Sequence, residues 1–168
     1  KNLWFHTGRN ITRYDGETVD TLDEEEGLDG EEPVIFFAVD NSGFPWFAQE
    51  NAGVFRYNGS QFIKPREEIA LGSLEVLNGL VDRRDALWLG TSTGIFHYQS
   101  GQLTHFTTAD GLPSDQVSVV FEDSGGKIWS GTNKGVGYFE QGRFIAVSTD
   151  LDISSIVEGE EGQIWFGT

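Results

Sequence analysis

The chain has 168 residues, of which 38% are hydrophobic and 13% aromatic, and its formal net charge is −16 at pH 7. This composition indicates a globular chain with a hydrophobic core and excludes an intrinsically disordered one. The excess of acids argues against a nucleic-acid partner and against anionic membrane surfaces, and the lack of cysteine excludes disulfides, thiolate nucleophiles and cysteine metal sites.

Tryptophan recurs at a nearly constant spacing along the whole chain. The five positions are Trp4, Trp46, Trp88, Trp129 and Trp165, which are 42, 42, 41 and 36 residues apart. Neighbouring positions keep the same phase, with aspartate six residues before three of the tryptophans and glycine two residues after the last three. These glycines are Gly90, Gly131 and Gly167. A period just above forty residues indicates a repeat architecture.

The first two repeats are predicted at residues 1–32 and 33–73. The first provides strands two to four of a four-stranded unit, and the second provides all four strands. Asp15-Gly16 and Asn58-Gly59 favour tight hairpins because both residue types tolerate positive φ. The nine acids of residues 17–32 lack the spacing of a calcium-binding loop, so this stretch is interpreted as a solvated acidic loop.

The third and fourth repeats, residues 74–115 and 116–150, show the strand pattern most clearly. Short β-type runs alternate with turn residues, and helical periodicity is absent. The predicted strands of the third repeat are 74–82, 86–91, 94–98 and 102–107, and those of the fourth are 116–123, 127–132, 135–139 and 143–147. Residues 151–168 begin a further unit with two strands.

Four-stranded units with this period predict an all-β fold, a β-propeller built of antiparallel blades. Stacked blades bury each other's faces, so each tryptophan is expected to wedge between blades and each following glycine to permit close backbone approach. The count is seventeen strands, starting and ending inside a blade. The chain is therefore expected to be a section of a longer propeller, or to pair its ends with another copy.

Residues 94–132 resemble the two-component regulator propeller repeat. Three elements carry the resemblance: Gly111-Leu112-Pro113, Asp123 at the end of a valine-rich strand, and Trp129-Ser130-Gly131-Thr132. Trp165-Phe166-Gly167-Thr168 matches the last element fully. Four places depart from the pattern: residues 4–7 and residues 46–49 replace its glycine, the first loop retains only Gly27-Leu28, and the fourth repeat lacks Gly-Leu-Pro.

The resemblance implies the extracytoplasmic, periplasmic sensor part of a bacterial hybrid histidine kinase, anchored through a membrane segment outside this chain. Such propellers often serve polysaccharide use, which implies an oligosaccharide or other small ligand and no cofactor. The chain itself shows no kinase, receiver or membrane segment. Any kinase activity would belong to the remainder of a longer signalling chain.

Catalytic motifs are not evident in the sequence. An even-length loop between their strands would place His97 and His105 on opposite sheet faces, whereas a three-residue loop would place them opposite each other. Even then, two histidines are too few for a closed zinc site, and His6 occupies the place that glycine takes in other repeats. No Gly-x-Ser-x-Gly motif occurs. We therefore expect a binding module. The alternatives are a streptogramin-lyase-like or glycoside-active propeller enzyme and a protein-interaction scaffold.

A ligand is expected at the loops that join strands four to one and strands two to three, because these loops share one end of the blades. The loops are 22–33, 64–73, 107–116 and 148–151, together with 8–10, 49–52, 92–93 and 133–134. The polar candidates on this face are Gln49, Asn51, Ser92, Asp110 and Lys134. Alternatively, these loops vary between repeats only because nothing constrains them.

Overall fold

Seventeen β-strands in the described ranges pair antiparallel with their sequence neighbours. The structure is a computed structural model that describes residues 2–28, 31–49, 52–64 and 75–168. The first sheet contains β1 (Leu3–Thr7), β2 (Asn10–Tyr14) and β3 (Val19–Leu22), and the second contains β4 (Val34–Val39), β5 (Pro45–Gln49), β6 (Gly53–Tyr57) and β7 (Phe62–Ile63). The third contains β8 (Val76–Val81), β9 (Leu87–Thr91), β10 (Gly94–Gln99) and β11 (Gln102–Phe106). The fourth contains β12 (Val117–Glu122), β13 (Ile128–Thr132), β14 (Gly135–Glu140) and β15 (Arg143–Thr149), and the fifth contains β16 (Ser155–Glu158) and β17 (Ile164–Gly167).

The sheets fall into two compact units, Lys1–Leu74 and Glu75–Thr168. Unit 1 holds the first and second sheets, and unit 2 holds the other three. In unit 2, β12 contacts β8 and β9, and β16 contacts β12 and β13. The first strands of successive sheets are thus neighbours, as expected for the inner strands of propeller blades, and the predicted all-β fold is confirmed.

An aspartate organises the turn after the first strand of each four-stranded sheet. Asp82 Oδ1 accepts hydrogen bonds from the backbone N–H groups of Arg84 and Ala86 at 2.8 and 2.9 Å. Asp40 Oδ1 does the same for Ser42 and Phe44 at 3.0 Å. Because these side-chain oxygens satisfy backbone donors inside the turn, aspartate recurs at this point of the repeat.

A β-bulge recurs in the same first strands. The register between first and second strands shifts between Val34 and Phe36, between Val76 and Asn78, and between Val117 and Val119. In each sheet the skipped residue lies five positions before the aspartate or its equivalent. A bulge bends and twists a strand locally, so all three sheets acquire the same distortion at their inner edge.

Trp88 packs between the third and fourth sheets, as the repeat predicted. It is 3% exposed, and its ring centroid lies 5.0 Å from that of Phe139 and 6.4 Å from that of Phe144, both on the fourth sheet. Phe106 completes this cluster. The aromatic contacts and the buried area explain why an aromatic residue is needed here in each stacked blade.

The other tryptophans are less uniform than expected. Trp46 is 6% exposed, whereas Trp129 is half-buried and Trp165 is 64% exposed. Trp129 packs against Phe166 of the two-stranded fifth sheet, with ring centroids 5.9 Å apart. A two-stranded sheet offers less covering surface than a four-stranded one, which accounts for the greater exposure of Trp129.

Glycine after tryptophan allows close approach in unit 2. A Cβ added at Gly90 would lie 3.1 Å from Val117 and 3.2 Å from Val120, which belong to the next sheet. At Gly131 it would lie 2.5 Å from Ile153. At these two positions a side chain would crowd residues outside the glycine's own strand pair, which explains why glycine occurs there. Gly167 differs, because the nearest atom to its added Cβ belongs to Ser155 of its own sheet.

The Gly-Leu loop has the same geometry in both places where it is described. A one-turn 3-10 helix, Glu24–Glu26 or Thr108–Asp110, ends at a left-handed glycine, Gly27 or Gly111, with φ near +95°. The next residue, Leu28 or Leu112, is buried in the adjacent core. The first loop thus retains the whole geometry. The acidic stretch is not entirely loop, because Val19–Leu22 forms β3.

Unit 1 has its own aromatic core. Phe47 is fully buried and stacks on Phe55 with ring centroids 5.2 Å apart, while Phe62 meets it edge-on at 4.8 Å. Ile11 and Leu28 belong to the same cluster.

Within the described ranges, none of the helices has the length and apolarity needed to cross a membrane.

Candidate functional site

Connections between strands two and three and between strands four and one meet at one end of the unit 2 sheets, which we call the loop end. The β9–β10 turn lies beside the start of β8, because Ser92 N donates to the Glu75 carbonyl at 3.3 Å. It also lies beside the end of β11, where His105 Nε2 is 2.9 Å from the Thr93 carbonyl oxygen. The strand order assumed for the predicted site is therefore correct in this sheet.

The fourth sheet repeats this arrangement with different side chains. Asn133 donates from its backbone N–H to the Gln116 carbonyl at 3.3 Å and from Nδ2 to Gln116 Oε1 at 2.8 Å. The next residue, Lys134, is exposed, and its ammonium has no partner among the described residues. Lys134 and the Asn133–Gln116 pair therefore present a cation and amide groups to solvent at the loop end.

Asp110 lies at the same end, but its carboxylate has a structural role. Oδ2 accepts hydrogen bonds from Thr107 N at 2.9 Å and Thr107 Oγ1 at 3.2 Å, while Ala109 N donates to Thr107 Oγ1. These contacts form a capping box around the 3-10 turn. A ligand at this position would meet a carboxylate already held by the loop.

Gln49 and Asn51 were predicted for the same face in unit 1. Gln49 is only 2% exposed, and its Nε2 donates to the Glu32 carbonyl at 2.9 Å. Its amide therefore joins β5 to the segment before β4. Asn51 lies outside the described residues.

Unit 1 is concave at its own loop end, on either side of the 3-10 turn. One open cavity of about 500 Å³ includes Glu24, Glu31 and Lys64 in its wall, and Lys64 Nζ lies 5.1 Å from the centre of the Phe55 ring. A second, of about 640 Å³, is lined in part by Arg9. The sequence predicted that loops 8–10, 22–33 and 64–73 could carry a site, but it did not single out Arg9, Glu24, Glu31 or Lys64.

The histidines of unit 2 do not form a site together. Phe96 is the cross-strand partner of His105, and their rings stack 4.1 Å apart, whereas His97 pairs with Trp88 on the other face. The loop between their strands, residues 100–101, has an even length, and the two histidines lie on opposite faces as expected for that case. Burial lowers the pKa of His97, although the charge of Asp82 opposes this shift. In the part of the chain that the structure describes, no three metal-ligating side chains cluster.

Residues 111–134 match the family model described as the two component regulator propeller. They comprise the Gly-Leu-Pro loop, β12, and the Asp123 turn with the Trp129 strand that follows it. A search of curated proteins found no match.

Solved structures with the same fold include extracellular domains of signalling proteins from B. thetaiotaomicron. The domain of a protein described as the hybrid two component system BT4673 matches with a TM-score of 0.78 and 21% identity, over 99% of this chain and 24% of that one. The corresponding domain of BT3049 matches with a TM-score of 0.66 and 18% identity, over 98% and 26%. This chain thus spans about a quarter of those domains.

Virginiamycin B lyase from Staphylococcus aureus also has this fold. It matches with a TM-score of 0.71 and 16% identity, over 99% of this chain and 59% of the lyase. At such identities these likenesses establish the fold, because unrelated functions share propeller scaffolds. Residues 111–134 are a two-component regulator propeller repeat, and the chain that carries them is built of β-propeller blades.

Proposed function

We propose that this chain is a ligand-sensing part of a bacterial two-component signalling protein of the hybrid histidine kinase type. The observation that carries the proposal is the two-component regulator propeller repeat at residues 111–134, within blades that match the fold of extracellular domains of signalling proteins. Sensing requires a binding surface coupled to the rest of a longer protein. Kinase activity would belong to that remainder.

The loop end is the proposed binding surface, because side chains between the sheets are used in packing. Trp88, Phe106 and Phe144 fill the space between the third and fourth sheets, which leaves their strands little freedom to carry a ligand site. The loop end instead offers Ser92, Lys134 and the Asn133 amide at its surface. Asp110 would act there by holding its loop in place, and Gln49 would do the same for the connection before β4 in unit 1.

An oligosaccharide is the proposed ligand class, since amide and hydroxyl groups can satisfy sugar hydroxyls. The test is a thermal-shift and calorimetric screen of neutral and acidic oligosaccharides against the 168-residue chain. A hit should weaken at least fivefold in the Asn133→Ala and Lys134→Ala variants. Arg143→Ala is the matched control, because Arg143 is exposed on β15. Equal affinity in all three variants would refute the loop-end site.

The proposed location is extracytoplasmic, with an anchoring membrane segment elsewhere in the longer protein. The support is the fold shared with the extracellular domains of BT4673 and BT3049. A protease added to spheroplasts, from which the outer membrane barrier has been removed, should digest this domain of the natural full-length protein. Protection in spheroplasts, with digestion after lysis, would place the domain inside the cell. We also propose that the open sheet edges pair with further blades, from the same protein or from another copy.

A lyase is the second candidate function, favoured by the fold shared with virginiamycin B lyase. That structure contains quinupristin, so quinupristin is the substrate to test. Turnover that is lost in one of the variants His6→Ala, His97→Ala or His105→Ala would support the enzyme. Binding of an oligosaccharide without any turnover would support the sensor, and capture of a partner protein without either effect would support a scaffold.

A further inference from the structure

A small cleft opens between the third and fourth sheets at the end opposite the loop end, which we call the turn end. It has a volume of about 120 Å³. The third sheet and its turn contribute five residues, and the fourth sheet contributes four. The lining residues are Asp82, Arg84, Trp88, His97 and Gln99 with Glu122, Gly126, Ile128 and Phe139. Both walls belong to unit 2, so the cleft is complete within it.

The inner wall of the cleft is aromatic. The His97 ring stacks on Trp88 with ring centroids 4.0 Å apart, and Phe139 meets Trp88 edge-on at 5.0 Å. Ile128 of the fourth sheet is 5% exposed and adds an aliphatic surface. An apolar wall of this kind excludes water from one side of a bound molecule and strengthens polar contacts on the other.

The two carboxylates of the cleft are already engaged. Glu122 forms an ion pair with Arg83, whose Nε lies 2.7 Å from Oε1. Its other oxygen, Oε2, accepts a hydrogen bond from the backbone N–H of Arg83 at 3.0 Å. Asp82 accepts hydrogen bonds on Oδ1 from two backbone N–H groups and on Oδ2 from the Trp88 indole. Arg83 thereby joins the two blades beside the cleft and balances the charge of Glu122.

In the part of the chain that the structure describes, three other side chains of the cleft have polar groups that are not engaged by other side chains or by the backbone. Among the described residues, no hydrogen bond or ion pair is made by the Arg84 guanidinium, the Gln99 amide or the ring nitrogens of His97. Arg84 is exposed, whereas Gln99 and His97 are half-buried. Within the described ranges, only Arg13 Nε is a fully buried polar side-chain atom without a hydrogen-bond partner, so water can satisfy these three groups of the cleft and a ligand can replace that water. All three groups can donate hydrogen bonds, and one carries a permanent positive charge.

We propose that the cleft binds a small organic carboxylate, of about the size of acetate or lactate. Arg84 would provide the charge-assisted hydrogen bonds that guanidinium makes with carboxylate. Gln99 and His97 would donate to the remaining oxygens, while the methyl or alkyl group would lie against the aromatic wall. The volume limits the ligand to a few heavy atoms, so millimolar affinity is expected.

The lining holds the two carboxylates of Asp82 and Glu122 beside Arg84, and a carboxylate ligand is favoured because both of them are already engaged while the Arg84 charge is not engaged by any described residue. A metal or ammonium ion would need free acidic oxygens, and those of Glu122 and Asp82 already accept hydrogen bonds. A neutral polyol would leave the Arg84 charge without a counter-ion. The burial that lowers the pKa of His97 keeps its ring neutral at neutral pH, able to donate from one nitrogen.

The experiment is a titration of the 168-residue chain followed by the indole N–H signals in ¹H–¹⁵N correlation spectra. Sodium acetate and sodium lactate are the probes, acetamide and glycerol are the uncharged controls, and sodium chloride matches the ionic strength. The Trp88 indole lies in the wall of the cleft and reports occupancy, and a Trp88→Phe variant assigns its signal. Arg84→Ala and Gln99→Ala are compared with Arg143→Ala, an exposed arginine on β15.

The expected result is a saturable shift with the two carboxylates only. It should weaken at least tenfold in Arg84→Ala and less in Gln99→Ala, with no change in Arg143→Ala. Arg84→Lys should retain part of the affinity because it keeps the charge. The titration midpoint of His97 should rise when acetate is bound, because a nearby anion favours its protonated form. Equal shifts with acetamide, glycerol or chloride, or unchanged affinity in Arg84→Ala, would overturn the proposal.

Discussion

The indole Nε1 of Trp88 donates a hydrogen bond to Oδ2 of Asp82 at 3.0 Å, from six residues further along the chain. Trp129 makes the same bond to Asp123 at 2.8 Å. Since the other carboxylate oxygen of each aspartate accepts backbone N–H groups of the turn, one side chain fixes both the turn and the tryptophan rotamer. In the second sheet Arg56 takes this place, pairing with Asp40 Oδ2 at 2.6 Å.

Replacing Asp82 by alanine is expected to destabilise the chain by about 2–4 kcal/mol, because donors on Arg84, Ala86 and Trp88 lose a buried acceptor. Asp82→Asn should recover part of the loss, since its amide oxygen can still accept from the turn. Urea unfolding measures the difference. The control is Asp152→Ala, because Asp152 is exposed. An Asp82→Ala variant as stable as the control would show that these bonds contribute nothing.

Adding a methyl group at the two inter-sheet glycines should have unequal effects. Gly131→Ala would place its Cβ 2.5 Å from Ile153, whereas Gly90→Ala would meet Val117 at 3.1 Å. We expect Gly131→Ala to cost about 1–3 kcal/mol and Gly90→Ala to cost less, because the neighbours of Gly90 need to move by only a few tenths of an ångström. Urea midpoints rank the two variants. The reverse order would show that the segment before β16 moves easily at Ile153.

The sequence predicted the blades well because packing residues recur in phase. In the third and fourth sheets the strands begin and end within two residues of the predicted bounds. Turn residues and alternating apolar residues determine these positions locally.

The candidate site was harder to predict, although part of the signal was present. Gln49 stands where other repeats have Thr91 or Thr132, whose buried hydroxyls donate to the carbonyls of Gly94 and Gly135. In the four-stranded sheets, the position three residues after the repeated tryptophan is therefore buried, and a residue there is not free on the surface.

Two further features differ in how far the sequence could show them. Thr107-x-x-Asp110 is a capping-box pattern and could have indicated a structural role for Asp110, which was predicted only as a polar group on the ligand face. The turn-end cleft had no such signal. Arg84 and Gln99 meet Glu122 and Phe139 only through the stacking of two sheets, and that geometry is not contained in any local motif.

His97 should make the stability of the chain fall as the pH drops below about 6.5. Burial lowers its pKa in the folded chain below the ordinary value near 6.5, so the unfolded chain binds the proton more readily. Stability is then full above about pH 6.5 and is lost as the pH falls toward the lowered pKa.

His97→Tyr should reduce this pH dependence, since Tyr138 occupies the equivalent cross-strand position opposite Trp129. The measurement is the difference in urea midpoint between pH 7.5 and 5.5. His105→Tyr provides the matched loss of a histidine, at an exposed position. If His97→Tyr keeps the whole pH difference of the unmodified chain, other groups cause it.

Arg83 is expected to stabilise the stacking of the third and fourth sheets through Glu122 and two carbonyl groups. Its Nη2 donates to the Asp123 carbonyl at 2.7 Å and its Nη1 to the Ser124 carbonyl at 3.2 Å, beside the ion pair with Glu122. Because the Arg83 side chain is 48% exposed, solvent screens the ion pair, and Arg83→Ala should cost only about 1 kcal/mol.

A double-mutant cycle with Glu122→Gln separates the ion pair from the carbonyl contacts. We expect a coupling energy of about 0.5 kcal/mol between Arg83 and Glu122, which should shrink at 1 M sodium chloride. The carbonyl bonds should persist in Glu122→Gln, so that variant should be milder than Arg83→Ala. The next pair of sheets has a comparable contact without an arginine. There the backbone N–H of Ser124 donates to Glu158 Oε2 of the fifth sheet at 2.6 Å, as the backbone N–H of Arg83 donates to Glu122. A coupling energy that does not change with salt would mean that geometry, and not charge, joins these sheets.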